Sequence, residues 1–440
     1  MTLPNIIFYF SDQQRFDTMG CYGQPLPVTP VLDKIAEEGT LFRNAFTCQP
    51  VCGPARSCLQ FGKYATQTGC FRNDIQMPHG MRSLADCFND GGYQTAYVGK
   101  WHLASNRNEG IDNSISAVPA ELRGGYKDYW MAADVLEFTS HGYDGYVFDK
   151  DGIRHDFIGY RADCINNYAI NFVQNRDKDR PFFMFVSQIE PHHQNDRNRA
   201  EGPDGSKERF KNYTPPGDLA NTEGDWRENY PDYLGQCNSL DYNVGRLIDT
   251  LKDQGIWDNT ILIYTSDHGS HFRTRNAEYK RSCHESSIRV PMIAHGPGFN
   301  GGHDIEDLVS LIDIPATLLS LAGIKKPDDW QGESILDLVE GKRHSDEIFL
   351  QISERQIGRA IRTKKWKYSV CADGNPWNES GADVYYEEFL YDLENDPFEK
   401  NNLVNAREYA GLRKELSERL IYRMAEAKEK APVILPCREN

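Results

Sequence analysis

Up to Ala322 the chain alternates short apolar runs with stripes of helical period. Asn5 to Ser11 is a nearly continuous apolar run closed by Asp12, Gln13, Gln14 and Arg15, the pattern of a strand buried on both faces. Tyr93 to Val98, Pro181 to Ser187 and Thr260 to Thr265 repeat it. They lead into Gly99-Lys100-Trp101-His102, Glu190-Pro191-His192-His193 and Ser266-Asp267-His268-Gly269, respectively. Between them the spacing predicts helices over Pro30 to Glu38 and Ser83 to Asp90. Two longer ones follow, Arg161 to Asn175 with Ala162, Ile165, Ala169 and Phe172 on one stripe, and Tyr233 to Gln254 with Leu240, Val244, Leu247 and Leu251. Residues 103–160 show no clear period, and 194–229 read as a polar loop. The alternation predicts an α/β fold, a large doubly wound sheet flanked by helices over residues 1–340. Beyond it, short runs at Glu347 to Gln351, Arg359 to Arg362, Lys367 to Cys371 and Phe389 to Tyr391 precede a helix carrying Leu412, Leu416 and Leu420. They predict a smaller α+β domain over 341–440, a short antiparallel sheet plus a terminal helix.

In an open α/β sheet, ligands bind at the carboxyl ends of the strands. Asp12, Lys100 with His102, His192, and Asp267 with His268 each follow a predicted strand, so four polar clusters converge on one edge. The stretch from Val51 to Lys63 has its own chemistry. Pro54 in a first helical turn wastes no amide hydrogen, Ala55 to Phe61 reads as helix, and Gly62 stops it. Cys52 then sits beside a helix N-terminus, where free N–H groups and the dipole favour negative charge, and Arg56 adds a cation one turn on. On the residues alone, Cys52 is either a nucleophile near an anion site or a buried structural thiol.

Composition narrows the function classes. A net charge of −16 argues against a broad nucleic-acid surface, though not against a small anionic ester. No run approaches the roughly 20 apolar residues needed to cross a bilayer. The first apolar run lacks a basic leader and a small-residue cleavage site, so it reads as a strand and not a signal peptide. The eleven cysteines are scattered and odd in number, which suits reduced thiols. A cytoplasmic protein without nucleic-acid or membrane partners is expected.

Cys52, Pro54, Ala55 and Arg56, followed by Gly62 and Lys63, resemble the signature of the type I, formylglycine-dependent sulfatases of the alkaline phosphatase superfamily. Gly92 to Leu103 resembles that family's second signature. The resemblance continues in order through Pro191-His192, Asp267-His268-Gly269, Lys280 to Pro291 and Leu390 to Pro397. It implies a sulfuric ester hydrolase whose Cys52 is oxidised to formylglycine by a formylglycine-generating or anaerobic sulfatase-maturating enzyme. The chemistry has a reason. A serine or cysteine attacking a sulfate ester would keep a stable covalent sulfate, whereas an aldehyde hydrate has a second hydroxyl that expels it.

The resemblance also implies a metal site of Asp12, Gln13, Asp267, His268 and the modified Cys52, holding Ca²⁺ with Mg²⁺ or Mn²⁺ as alternatives. Lys100 and Lys280 would clamp the sulfate oxygens. His102 would hold the formylglycine hydroxyl, His192 would protonate the leaving group, and Arg56 would orient position 52. Many members carry an acidic residue where Gln13 stands, Asn where His268 stands, and an aromatic where His284 stands. The Asp12-Gln13 start with Arg15 also resembles phosphonate monoester and phosphodiester hydrolases of the superfamily, but the retained Lys100 and His102 favour sulfate. An inactive protein that binds sulfated ligands is disfavoured because the cysteine, carboxylates and both lysines are intact. The expected substrate is a small carbohydrate sulfate, with aryl sulfates also accepted. Tyr126, Trp130, His141 and Asp144 are candidates for touching the sugar.

Overall fold

The computed structural model describes residues 3–105 and 112–438. Its large sheet begins with β1 (Asn5–Ser11), β2 (Thr40–Phe46), β3 (Gln94–Lys100), β4 (Tyr129–Ala133), β5 (Asp144–Asp149) and β6 (Arg154–Ile158). It is completed by β7 (Phe182–Ser187), β8 (Thr260–Ser266), β9 (Arg289–Val290), β10 (Met292–His295) and β11 (His303–Ser310). The spatial order is β11-β2-β10-β8-β1-β7-β3-β4-β5-β6, with β9 on β2 outside that path. The centre, β8-β1-β7-β3-β4, is wholly parallel. Antiparallel pairings appear toward the edges, at β8–β10, β10–β2, β4–β5 and β5–β6.

Successive side chains of β1 point to opposite faces and meet two different helical layers. Ile6, Phe8 and Phe10 share a core with α2 (Cys52–Phe61), α3 (Leu84–Asp90) and α6 (Ile314–Leu321). Ile7 and Tyr9 pack with α1 (Pro30–Glu38), α4 (Arg161–Asn175) and α5 (Trp226–Asp253). All five of those strand residues are fully buried, and burying a large apolar side chain is worth about 1.5–3 kcal/mol. A doubly covered sheet of this kind fixes the strand ends rigidly, which is what a site built there needs.

Two stretches differ from expectation. β2, β4, β5 and β6 lie where no strand was expected: β4 is apolar but only five residues long, and polar residues break the apolar runs of β2, β5 and β6. Arg43 in β2, for example, pairs with Asp304 of β11 at 2.6 Å. The helix expected from Tyr233 starts at Trp226 and contains Pro231. Trp226 and Tyr230 draw it forward by burying in a satellite core with Phe272 and Tyr279.

The second sheet comprises β12 (Glu347–Ile352), β13 (Ile357–Thr363), β14 (Trp366–Ala372), β15 (Val384–Asp392) and β16 (Val433–Leu435). The first four are antiparallel, as expected, while β16 adds itself parallel to β15. The terminal helix α7 (Ala410–Glu426) covers this sheet through Leu416, Leu420 and Met424. Ile348, Leu350, Ile352 and Ala360 share a core with Phe46, Cys283, Ile288 and Leu308, so the two sheets are joined through apolar contact.

Candidate active site

β1 and β8 stay in register to their last residues, with Ser11 opposite Ser266. Asp12 and Asp267 therefore leave the sheet side by side, and both are fully buried. The Asp267 amide donates to the Ser11 carbonyl at 3.2 Å, and the Gln13 amide to Asp267 Oδ1 at 2.9 Å. Gln13 reaches this position with φ 67°, and His102 with φ 59°, a region non-glycine residues seldom enter. Such strain clusters at functional sites because the surrounding fold holds it in place. Gly99, in β3, has φ 101°, and a Cβ there would lie 1.9 Å from the Ser187 carbonyl. That glycine lets β3 pass β7 closely enough to bring Lys100 to Asp12.

Cys52 opens α2, with Val51 as its cap residue. Its Sγ lies 3.5 Å from Asp12 Oδ1, 3.3 Å from His268 Nε2 and 2.9 Å from Lys280 Nζ. The next amide, Gly53, donates to Asn73 Oδ1 at 2.9 Å. Asp12 is further held by Lys100 Nζ at 2.7 Å and Arg56 Nη2 at 3.0 Å. The other Arg56 nitrogen donates to the Lys100 carbonyl and to Ser187 Oγ, which ties α2 to the ends of β3 and β7. Lys280 Nζ also lies 3.3 Å from His192 Nε2.

The charges explain the ionisation states. Burial opposes a thiolate at Cys52, but Lys100, Lys280 and His268 outweigh it and hold its pKa well below the ordinary thiol value. Burial also opposes ionisation of Asp12, and Lys100, His192 and Arg56 nevertheless keep it ionised. For Asp267, burial and the neighbouring Asp12 push the pKa up to about 7. Its Oδ2 is buried without a hydrogen-bond partner. Donor atoms of Asp12, Cys52, Asp267 and His268 all lie within 4.8 Å of one another. Two adjacent buried carboxylates, one with an orphaned oxygen, fit a hard cation: its charge would satisfy what the protein leaves unmet.

A cleft of about 180 Å³ opens above this cluster, lined in part by Gln13, Cys52, Lys100, His102, His192 and Lys280. All ten expected site residues thus fall in or directly behind one place. His193 does not: it stacks on Tyr279 at 4.2 Å and bonds its hydroxyl, and burial followed by the charge of His192 lowers its pKa to about 4. Arg15 is spent on Asp17 and Asp218. Arg289 bonds the Arg43 carbonyl and lies over the Phe16 ring. The candidate sugar contacts lie elsewhere. Tyr126 and Trp130 are buried in an aromatic cluster with Tyr97 and Trp101, His141 pairs with Asp196, and Asp144 begins β5. The outer cleft is instead formed by Asn73, Glu137, Phe138, Asn195, Tyr279 and Trp377, none of which stood out in the sequence.

A parallel sheet that gathers carboxylates, a thiol and lysines at its strand ends defines the class: hydrolases of the alkaline phosphatase superfamily. The Sulfatase family profile matches residues 4–324, and that of the N-sulphoglucosamine sulphohydrolase C-terminal region matches 277–426. The chain belongs to the sulfatase family, and it is an enzyme that hydrolyses sulfate esters. It is 30% identical to an ulvan-active sulfatase of Formosa agariphila, covering 97% of this chain and 82% of that protein. It is 27% identical to an N-acetylglucosamine-6-O-sulfatase of Bacteroides thetaiotaomicron, covering 98% and 88%. A solved sulfatase structure bound to its substrate D-glucosamine-2-N,6-O-disulfate superposes with a TM-score of 0.81 at 26% identity, covering 98% of this chain and 99% of that one.

Proposed function

We propose that this sulfatase cleaves sulfate monoesters of carbohydrates, using Cys52 as formylglycine beside a Ca²⁺ ion. The observation that carries this reading is the placement of Cys52 Sγ between Asp12, His268 and Lys280. Asp12, Gln13, Asp267 and His268 would hold the cation together with position 52. Oxygen donors with one imidazole nitrogen suit Ca²⁺ and also admit Mg²⁺ or Mn²⁺. The formylglycine supplies a nucleophilic oxygen with a second hydroxyl for release, and the cation supplies Lewis-acid charge.

The remaining roles belong to the chain itself. Lys280 and Lys100 hold sulfate oxygens, with their ammonium groups fixed before substrate arrives. His102 holds the hydroxyl at position 52. His192 presents Nε2 to the leaving oxygen and gives it a proton. Arg56, locked to Asp12, Ser187 and the Lys100 carbonyl, orients α2 and touches no substrate. The carbohydrate preference rests on the relatives described as acting on ulvan and on N-acetylglucosamine sulfate. Trp377 and Phe138, at the cleft, offer apolar faces for a sugar ring. A small sulfated substrate and a maturating enzyme are the partners of this reading. Among the described residues no helix is long and apolar enough to cross a membrane, and the eleven cysteines are free thiols.

Mass spectrometry of the tryptic peptide containing Cys52, after co-expression with a maturating enzyme, is expected to show the aldehyde. Full activity with an intact thiol would refute the mechanism. Turnover of a sulfate and a phosphonate monoester of one alcohol tests the substrate: sulfate is expected to be faster, and equal or better phosphonate turnover would favour the phosphonate hydrolase reading.

A further inference from the structure

Glu137 sits in a single 3₁₀ turn, Leu136–Phe138, after β4, at the wall of the cleft and only 7% exposed. A buried carboxylate must be satisfied, and Asn195 does most of this: its amide donates to Oε1 at 2.7 Å and its side chain to Oε2 at 3.2 Å. The same Oε2 lies 3.7 Å from Nδ1 of His192. That nitrogen is buried and has no hydrogen-bond partner of its own. The opposite ring nitrogen, Nε2, faces the reaction centre, 3.3 Å from Lys280 Nζ and 4.0 Å from Asp12 Oδ1. A lysine ammonium has only protons to give, so Nε2 accepts there and the ring proton sits on Nδ1, pointing at Glu137.

We infer that Glu137 is a positioning residue for His192, clamping the ring through Nδ1 so that Nε2 faces the leaving-group oxygen. The inference rests on the sulfatase reading of the site and goes beyond it by explaining how the proton donor is aimed. In the step it serves, the bond between sulfur and the leaving oxygen breaks, and its electron pair stays on that oxygen. Nε2 takes a proton from the Lys280 ammonium it faces and passes it to that oxygen, so the ring ends neutral with its Nδ1 proton still toward Glu137, and Lys280 regains its proton from solvent. A histidine held by a carboxylate at its far nitrogen is the general way proteins fix which ring atom does the work, and losing the holder typically costs about 10–100-fold.

Two measurements test this. The first needs no turnover. In ¹⁵N-histidine spectra of the wild-type protein, the His192 signal, identified by its loss in H192N, is expected from the Nδ1-protonated neutral ring. An Nε2-protonated ring would overturn the proposal, whatever becomes of any variant. The second compares E137Q with the wild type on 4-nitrophenyl sulfate, whose leaving group needs little help, and on glucose 6-sulfate, whose leaving group needs a proton. E137Q is expected to lose about 10–100-fold in kcat on the sugar sulfate and less than about threefold on the aryl sulfate, with H192A showing the same bias. E137Q combined with H192A is expected to be no worse than H192A alone. Equal losses on both esters, or additive losses in the double variant, would make Glu137 merely structural. A wild type that hydrolyses neither ester would instead refute the sulfatase reading, and the ¹⁵N signal would still decide the clamp.

Discussion

At the scale of residues, the site is a contest between burial and charge. Cys52, Asp12 and Lys100 are each about 1% exposed or less, so their charges survive only by facing one another. Lys280 is where that balance meets the substrate. Its ammonium already lies against Sγ of position 52, so it needs no rearrangement to meet an anion there. Replacing it with alanine is expected to lower kcat about 10²–10³-fold, the usual cost of losing one fixed donor to a reacting anion, and steady-state kinetics on 4-nitrophenyl sulfate would measure it. Asp267 gives a pH dependence. Burial and Asp12 raise its pKa to about 7 in the metal-free protein, and a cation can bind only once that proton has left. Calcium affinity is therefore expected to be constant above about pH 7 and to weaken below it by about tenfold per pH unit, with proton release, as calorimetric titration would show. Affinity unchanged between pH 8 and pH 6 would remove Asp267 from the ligand set.

At the scale of elements, strand ends do the positioning, and they were the legible part. β1, β7 and β8 are mostly apolar runs, and β3 is one from Ala96 to Val98, because both of their faces are buried. Their last residues could therefore be located from hydrophobicity alone, and Asp12, Lys100, His192 and Asp267 followed. The outer wall was not legible for the converse reason. β4 is short, β5 and β6 are short and partly exposed, and Glu137 and Asn195 sit in turns whose residues carry no period. Trp377 lies in the connection between β14 and β15, where an aromatic residue has no sequence mark distinguishing packing from recognition. One internal joint was likewise invisible. Glu285, just past the Lys280 loop, pairs with Lys367 of β14 at 2.7 Å and with Arg362 of β13 at 3.3 Å. Burial alone would raise its pKa, but Arg362 and Lys367 hold it well below the carboxylate range. Its stabilisation is therefore complete above the ordinary glutamate pKa of 4.5 and is lost as pH falls through the acid range. Glu285→Gln leaves Arg362 buried without its counter-charge, while Lys367 keeps Glu399, and is expected to cost about 3–5 kcal/mol, read as a lower urea midpoint at neutral pH.

At the scale of the whole molecule, the two sheets share both a core and the cleft. Glu354, after β12, bonds the Asn73 amide at 2.7 Å and pairs with Arg281, the neighbour of Lys280. Arg72 bonds the Trp377 carbonyl at 2.6 Å and lies over its ring. The small sheet thus braces the residues on either side of position 52. A chain ending at residue 340 would bare Phe46, Ile288 and Leu308, and it is expected to aggregate rather than to survive as a minimal enzyme, as size-exclusion chromatography would reveal. Trp377→Ala is expected to raise KM for a sugar sulfate several-fold with little change in kcat. Loss of kcat without a change in KM would argue against a role in holding the sugar.

The pairing of β1 with β8 has a further consequence, in time. His268, which helps enclose the Cys52 thiol, comes 216 residues after it in the chain. A ribosome adding roughly 5–20 residues per second needs about 10–40 s to cover that distance. Throughout that interval β8 does not yet exist, and the thiol cannot be sealed. Once β8 docks, Cys52 is 1% exposed and no second protein can grip it. Completing the site and admitting another enzyme to it exclude one another, so the strand pairing that gathers the carboxylates also sets a deadline for any chemistry done on Cys52 from outside.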